Sequence, residues 1–219
     1  TSQVVVQDAP PQPLEMSYEE FLSLVGEEML LAEWVDGEVL LFMPPKEVQQ
    51  RTAGFLYHLL DLYATLLGLG RVLIAPFEMK LERSAREPDI LFVATANLHR
   101  LTADRLEGPA DLIVEIVSPD SVYRDRQRKF REYAAAGVPE YWIVDPRERK
   151  QRADFYALNT EGQYDLFATE DTERVESHVL PGFWPRPALL WEEELDAFSR
   201  FVEIIGPDRL ASALGWDPA

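Results

Sequence analysis

The feature that most constrains the fold is a strand–helix–strand pattern. Residues 111–117, DLIVEIV, are apolar at almost every position, which is typical of a strand covered on both faces. Residues 121–136 carry apolar side chains at helical spacing, and Gly137 after them favours the end of a helix. Residues 140–145, EYWIVD, form a second short apolar run. The pattern predicts a β-α-β unit with a right-handed crossover.

One acid stands inside the first apolar run. Glu115 would be buried there, and a buried carboxylate must be protonated, paired or bound to a cation. Asp89 follows Pro88 at the head of another predicted strand. Two acids on neighbouring strands, pointing the same way, would supply the oxygen ligands that Mg²⁺ prefers, and such a metal can activate water against a phosphodiester. Lys129, on the predicted helix, could orient that water or stabilise the developing charge.

The rest of the chain predicts an α/β fold with one mixed β-sheet flanked by helices. Ser17 followed by Glu20 is a capping-box pattern, and Asp36-Gly37 is a strong two-residue turn signal. Residues 1–14 are rich in Pro and Gln and are predicted to be a flexible tail, with a single domain over 15–219. The further predicted elements are helices at 17–28, 47–68, 192–204 and 208–214, hairpins at 30–45 and 153–168, and strands at 71–82 and 88–94.

Composition limits the classes of function. The absence of cysteine excludes a disulfide framework and a thiolate zinc site. With no signal-peptide pattern and no apolar run of membrane-spanning length, a soluble, cytoplasmic protein is the simplest expectation. A net charge of −18 argues against a broad nucleic-acid-binding surface. Residues 119–152, however, hold nine basic and six acidic side chains, a local charge of +3 that suits either a solvated helix face or a local DNA contact.

Four segments, in this order, carry a resemblance to a known family: EWVDGEVLLFMPP, APFEMKLERSAREPDILFV, DLIVEIVSPDS and RQRKFREYAAAGVPEYWIVDP. The order of Pro88-Asp89, an acid in the next core strand and then a lysine resembles the PD-(D/E)XK nuclease fold. More specifically, the chain is similar to the bacterial Uma family of candidate restriction endonucleases (domain of unknown function 820) over about residues 17–190. The resemblance implies a restriction-endonuclease-like fold and metal-dependent cleavage of DNA.

The resemblance also implies roles for three residues. Asp89 and Glu115 would be catalytic ligands of Mg²⁺ (or Mn²⁺). The generic nuclease pattern places a lysine two residues after the second acid, where this chain has Val117. The family supplies the lysine from the following helix instead, and Lys129 is the matching residue, expected to position the attacking water or help deprotonate it.

Further residues complete the expected site. Glu33 corresponds to a recurrent family acid and is a candidate additional metal ligand. Glu78, in the segment EMK, is another, because it could meet Asp89 across a hairpin. Arg126 and Arg128 are candidate phosphate contacts. Gln49 stands about where the family often has a histidine, and this departure weakens the prediction of activity.

Two rival hypotheses remain open at this stage. The first is a catalytically inactive nucleic-acid-associated or protein-interaction module on the same fold, which the charge of −18 and Gln49 favour. The second is a structural homo-oligomer in which Glu115 is merely paired with a cationic side chain. The leucine stripe of residues 47–68 suits either a core helix or the interface of a homodimer or higher homo-oligomer.

Overall fold

A computed structural model describes residues 14–28, 32–41 and 44–216 of the chain. Of the predicted tail, residues 1–13 lie outside this part, while Leu14 already pairs with Val39 in a strand. In chain order the strands are β1 (Leu14–Glu15), β2 (Ala32–Val35), β3 (Glu38–Leu41), β4 (Gly70–Ile74), β5 (Glu78–Lys80), β6 (Ser84–Arg86), β7 (Ile90–Ala94), β8 (Arg105–Glu107), β9 (Leu112–Ile116), β10 (Glu140–Asp145), β11 (Arg152–Leu158) and β12 (Tyr164–Thr169).

Five α-helices accompany these strands in the described residues. They are α1 (Tyr18–Glu28), α2 (Glu47–Leu66), α3 (Phe130–Ala136), α4 (Ala197–Ile205) and α5 (Pro207–Ala213), with short 3₁₀ segments at Thr95–Arg100 and Pro187–Trp191. A π-helical turn, Arg124–Lys129, leads directly into α3. The helices predicted at 17–28, 47–68 and 208–214 are therefore present within a few residues, while the one predicted at 192–204 begins only at Ala197. None of the described helices is both long enough and apolar enough to cross a membrane.

The predicted β-α-β unit is confirmed and lies at the centre of the molecule. β9 and β10 pair in parallel, with Glu115 opposite Ile143. The segment between them contains the π-helical turn and α3, and it ends at Gly137, whose φ of 84° is the left-handed conformation that glycine adopts without strain. The acid in the central strand is therefore placed directly beneath the crossover segment.

Two mixed sheets, rather than the predicted single sheet, divide the strands. One sheet has the order β1-β3-β2-β6-β5-β8 and the other β12-β11-β10-β9-β7-β4. The single strand predicted over 71–82 is two strands, β4 and β5, and they belong to different sheets. Pro76 lies between them, and because proline has no N–H it interrupts the ladder where the chain passes from one sheet to the other.

The second sheet has a core on each face. On one face, Leu59 and Tyr63 of α2 belong to the same buried cluster as Val114 and Trp142. On the other, Tyr133 of α3 and Met79 of the first sheet are buried with Ile113, Tyr141 and Ile143. Side chains alternate along β9, so Glu115 lies on the same face as Ile113, beneath the crossover segment and next to the first sheet.

Candidate active site

Glu115 lies near the end of β9, and Asp89 immediately precedes the neighbouring antiparallel strand β7. β7 and β9 pair with Ile90 opposite Val114, so the next position outward in this register brings Asp89 opposite Glu115. Side chains at facing positions of an antiparallel pair lie on the same face, with Cβ atoms about 4.5–5.5 Å apart. The two predicted metal ligands therefore lie side by side where β7 begins and β9 ends.

Each of these carboxylates uses one oxygen in hydrogen bonds within the protein. Oδ2 of Asp89 accepts a hydrogen bond of 2.6 Å from the backbone N–H of Ile116. Oε1 of Glu115 accepts hydrogen bonds from Lys129 Nζ at 2.8 Å and from the Tyr133 hydroxyl at 2.9 Å. No donor among the described residues bonds to Asp89 Oδ1 or Glu115 Oε2. One oxygen of each carboxylate is therefore left for another ligand.

Lys129 reaches Glu115 from the π-helical turn. Its side chain is buried, and Nζ lies 2.8 Å from Glu115 Oε1 and 3.0 Å from Glu33 Oε1. Turns of this kind often occur at functional sites, because the extra residue in the turn redirects side chains. The structure thus brings the three predicted catalytic residues to one face of the second sheet, and their catalytic roles stay predictions.

Glu33 belongs to the same cluster, but both of its oxygens are engaged. Besides its ion pair with Lys129, Oε1 accepts a hydrogen bond of 3.1 Å from the backbone N–H of Glu87. Oε2 accepts one of 2.9 Å from Arg86 Nη1. Arg86 in turn donates from Nε to both oxygens of Glu132, at 3.1 Å each. Glu33 therefore joins the first sheet to Lys129 through ion pairs, and its predicted role as a metal ligand remains a prediction.

Glu78 makes its contacts apart from this cluster. Its Oε1 accepts a hydrogen bond of 2.5 Å from the Tyr18 hydroxyl and lies 3.9 Å from Arg105 Nη1. In the register of β5 and β6 its facing residue is Glu87. The structure therefore does not show the expected meeting of Glu78 with Asp89 across a hairpin.

Two further buried residues at the site are absent from the sequence prediction. Asp125 lies one helical turn before Lys129, and its Oδ1, which has no hydrogen-bond partner among the described residues, is 3.6 Å from Arg124 Nε. An acid four residues before a lysine on a helix was the available signal for Asp125. Arg86 carried no local signal, because its importance comes from Glu33, which is 53 residues away.

Gln49 lies close to the end of β9. It is buried in the first turn of α2, where its Oε1 accepts a hydrogen bond of 3.0 Å from the backbone N–H of Lys46. Its Nε2 is 3.5 Å from the carbonyl oxygen of Val117, two residues beyond Glu115. The position at which the family resemblance leads us to expect a histidine is thus close to the site, and here it carries an amide.

The two arginines predicted to contact phosphate have different environments. Arg126 pairs with Asp154, a fully buried acid that also binds Arg152 at 2.8 Å. Arg128 is exposed, and its guanidinium lies 5.7 Å from the ring centre of Tyr123, which is also exposed. Arg126 is therefore engaged within the protein, whereas Arg128 is accessible to a ligand.

The electrostatics of the cluster follow from burial and crowding. Burial raises the pKa of Asp89 to about 6 and that of Glu115 to about 8; the Lys129 ammonium opposes both shifts, and the charge of Asp125 adds to both. Burial by itself would lower the pKa of Lys129, but Glu115, Glu33 and Asp125 reverse this, so its pKa lies above the ordinary value. The Lys129 ammonium therefore does not offset the effect of burial and crowding, and both carboxyl groups keep their protons to a higher pH than usual.

The residues fit a small divalent cation. Asp89 and Glu115 each keep one oxygen, and crowding disfavours their joint ionisation without a further positive charge. No group of three or more His, Cys, Asp or Glu side chains in the described part of the chain is arranged to hold a metal ion. The fit is therefore to an ion that takes two protein carboxylates and keeps several waters, which is the habit of Mg²⁺.

These pKa values predict a dependence of stability on pH and Mg²⁺. The folded carboxyls hold protons up to about pH 6 for Asp89 and 8 for Glu115, against ordinary values of 3.8 and 4.5. In that window the folded state binds more protons than the unfolded state, so the metal-free free energy of unfolding falls as pH rises. Mg²⁺ binds the deprotonated carboxylates, so we expect it to raise the melting temperature more at pH 8 than at pH 5.5.

Thermal unfolding with Mg²⁺ and with EDTA at both pH values measures this effect. The double variant Asp89→Asn, Glu115→Gln should show little Mg²⁺ effect at either pH. The pKa of Glu33 is lowered, so its contribution to stability is lost only at a pH below that at which Asp89 and Glu115 titrate. Both the wild type and the double variant keep Glu33, so its contribution does not affect the comparison. An equal Mg²⁺ effect at pH 5.5 and 8 in the wild type would contradict the prediction.

Comparisons with known proteins show a shared fold and a family. A crystal structure from Anabaena variabilis ATCC 29413, described as "a putative nuclease belonging to DUF820", is similar to this chain with a TM-score of 0.66 and 16% sequence identity. The match covers 80% of this chain and 97% of that one and shows a shared fold. No curated protein matches the chain. The family model Uma2, described as "Putative restriction endonuclease", matches residues 18–192, which include every residue of the cluster. The chain therefore belongs to the Uma2 family.

Proposed function

We propose that this protein is a metal-dependent endonuclease of PD-(D/E)XK type that hydrolyses phosphodiester bonds in DNA. The observation that carries the proposal is the grouping of Asp89, Glu115 and Lys129 where β7 begins and β9 ends. Membership of a family described as restriction endonucleases supports it. Such a substrate also implies a cytoplasmic location, and assembly into a homo-oligomer remains a prediction.

Each residue has a defined task in the proposed reaction. Asp89 and Glu115 would hold Mg²⁺ or Mn²⁺ through Oδ1 and Oε2. When bound, the ion supplies charge stabilisation at the phosphoryl group and lowers the pKa of water. Lys129 stays an ammonium, because its pKa is raised, and so it serves as an N–H donor and positive charge rather than as a general base. Tyr133 holds Glu115 in place through the hydrogen bond to Oε1.

Nucleic acid would be contacted by the outer side of the π-helical turn. Between residues 122 and 131, the acid Asp125 is buried, while the exposed charged side chains are Arg128 and Arg131. This inward placement of the acid leaves a basic surface on a chain whose net charge is −18. Phosphate binding by such a surface would be local and sensitive to salt.

Arg128→Ala is expected to weaken DNA binding by a similar factor across sequences. It should also reduce the slope of log K against log salt by about 1, because one phosphate contact is lost. Fluorescence anisotropy with a labelled duplex at several NaCl concentrations, in EDTA to prevent cleavage, measures both quantities. Arg71→Ala is the matched control, because Arg71 is exposed on β4 and pairs with Val93, at the end of β7 that is far from Asp89. An unchanged slope for Arg128→Ala would remove Arg128 from the DNA-contacting surface.

A cleavage assay tests the proposed function directly. The full chain would be incubated with supercoiled plasmid, linear duplex and single-stranded DNA, each with Mg²⁺, Mn²⁺ or EDTA. We expect cleavage with either divalent ion and none in EDTA. Absence of cleavage of all three substrates with both ions would refute the proposal.

One observation favours a second candidate, an inactive nucleic-acid-associated module on the same fold. Glu115 is buried in bonds to Lys129 and Tyr133, as it would be in a purely structural ion pair. The amide of Gln49 near the site points the same way. Such a module would bind DNA with an affinity that does not depend on Mg²⁺ and would cleave none of the three substrates.

A further inference from the structure

Both oxygens of Glu33 already accept from donors of the protein. Oε1 is shared between Lys129 Nζ at 3.0 Å and the backbone N–H of Glu87 at 3.1 Å, and Oε2 accepts from Arg86 at 2.9 Å. The residue is 1% exposed. This differs from Asp89 and Glu115, which each keep one oxygen without a hydrogen bond from the described residues. Glu33 thus serves as the counter-ion of two cationic side chains, Lys129 and Arg86.

Arg86 extends the ion pair of Lys129 and Glu33 into a longer series of ion pairs. Its guanidinium is 1% exposed and lies between Glu33 on β2 and Glu132 on α3. Glu132 comes three residues after Lys129, so both ends of the chain of contacts return to the same helical segment. Lys129, Glu33, Arg86 and Glu132 alternate in charge along this series, and Lys129 also pairs with Glu115.

The ion pairs with Glu115 and Glu33 fix the position of the Lys129 amine. An ammonium has three N–H groups. Glu115 Oε1 at 2.8 Å and Glu33 Oε1 at 3.0 Å approach it from two different sheets. At least one N–H has no acceptor among the described residues. An amine held from two sides is preorganised, because it needs no rearrangement when charge develops beside it.

We propose that Glu33 and Arg86 are positioning residues, which hold the Lys129 amine against Glu115 and do not bind the divalent cation. The inference rests on the proposed function, and it assigns a purpose to the N-terminal hairpin β2–β3, which supplies Glu33. It also replaces the metal-ligand role expected for Glu33 from the sequence.

Nuclear magnetic resonance can observe the amine without any enzymatic activity. The chain has four lysines, Lys46, Lys80, Lys129 and Lys150, so labelling with ¹⁵N-lysine gives few side-chain signals. A buried, ion-paired ammonium exchanges its protons slowly enough to be seen, and the signal that disappears in Lys129→Met is assigned to Lys129. We expect this signal to shift or broaden beyond detection in Glu33→Gln and in Arg86→Lys, but not in the control Glu161→Gln, which changes an exposed acid.

Metal binding and kinetics separate positioning from ligation. For Glu33→Gln we expect kcat for DNA cleavage to fall about 30-fold, since one donor to the developing charge loses its fixed position. KM for DNA and the Kd for Mn²⁺, measured by calorimetry without DNA, should each stay within about 2-fold, because no ligand is lost. A fall of tenfold or more in Mn²⁺ affinity would overturn the inference and make Glu33 a ligand.

A double-mutant cycle separates positioning from a general structural role. If Glu33 acts only through Lys129, Glu33→Gln should lower kcat no further in the Lys129→Met background. An equal loss of kcat in both backgrounds would overturn the inference. Should Glu33→Gln fail to fold, Glu33→Asp keeps the charge, moves it by one methylene, and should still shift the Lys129 signal. If the wild type cleaves no DNA, the proposed function fails, while the Lys129 signal and the Mn²⁺ affinity still decide the positioning role.

Discussion

Replacing Glu115 with glutamine is expected to lower the rate of DNA cleavage about 1000-fold and leave the fold intact. The variant loses a proposed metal ligand, and each 1.4 kcal/mol of lost charge stabilisation is tenfold in rate, so about 4 kcal/mol is at stake. Stability should change little, because a carboxyl whose pKa is about 8 is already largely protonated at pH 7, and the amide has the same shape. The amide oxygen can still accept from Lys129 and Tyr133. Cleavage rates, Mn²⁺ affinity and thermal unfolding in EDTA measure the three expectations.

Glu140→Gln is the matched control, because Glu140 is also an acid buried in a central strand. Its carboxylate accepts four hydrogen bonds, from Trp142 Nε1 at 2.7 Å, Ser177 Oγ at 3.0 Å and the backbone N–H groups of His178 at 2.8 Å and Val179 at 3.1 Å. An amide cannot accept them all, so this variant should lose about 2 kcal/mol of stability and keep its cleavage rate per folded molecule. Wild-type cleavage by Glu115→Gln would contradict the assignment of Glu115.

Lys129→Met is expected to lower kcat by about 10²–10³-fold, because it removes the positive N–H donor that we propose stabilises charge on the reacting phosphate. Affinity for Mn²⁺ should be unchanged or higher, since a cation that competes for Glu115 is gone. The free energy of unfolding should fall by about 3 kcal/mol, because Glu33 loses one of two cationic partners in a buried site. Single-turnover cleavage, calorimetry with Mn²⁺ and urea unfolding separate these effects.

Lys150→Met provides the control for loss of a lysine charge, because Lys150 is exposed in the turn before β11. It should leave all three quantities close to those of the wild type. If Lys129→Met retained kcat, Lys129 would be a structural cation only. If its Mn²⁺ affinity fell in parallel with kcat, the amine would be acting by organising the carboxylates rather than by contacting the substrate.

The local sequence pattern was sufficient to predict most helices and strands of the fold. The β-α-β unit, α1, α2 and the turn at Asp36-Gly37 all lie where the sequence predicts them, because apolar periodicity and turn chemistry act over a few residues. The same local information failed over residues 71–82. One apolar run there serves two sheets, and which sheet a strand joins depends on partners far away in the chain.

The site likewise contains residues that could be predicted from the sequence and residues that only the structure shows. The sequence singled out Glu115, because an acid in an apolar strand needs a partner wherever the chain folds, and the family resemblance added Asp89 and Lys129. It could not show that Glu33 would pair with Lys129, nor that Arg86 would lie between two acids. Nor could it separate Arg126, bound to a buried acid, from Arg128, which is exposed.

What the sequence determined by itself is therefore the central strand–helix–strand unit and the need to neutralise the acid within it. Only the tertiary structure decided which charges do so. Burial makes a charge costly, whereas a partner from a distant segment makes it tolerable, and such partners are chosen by how the two sheets pack rather than by neighbouring residues. Glu115 and Glu140 look alike in the sequence for this reason: one meets a lysine amine and keeps an oxygen for a ligand, and the other is enclosed by donors from a loop.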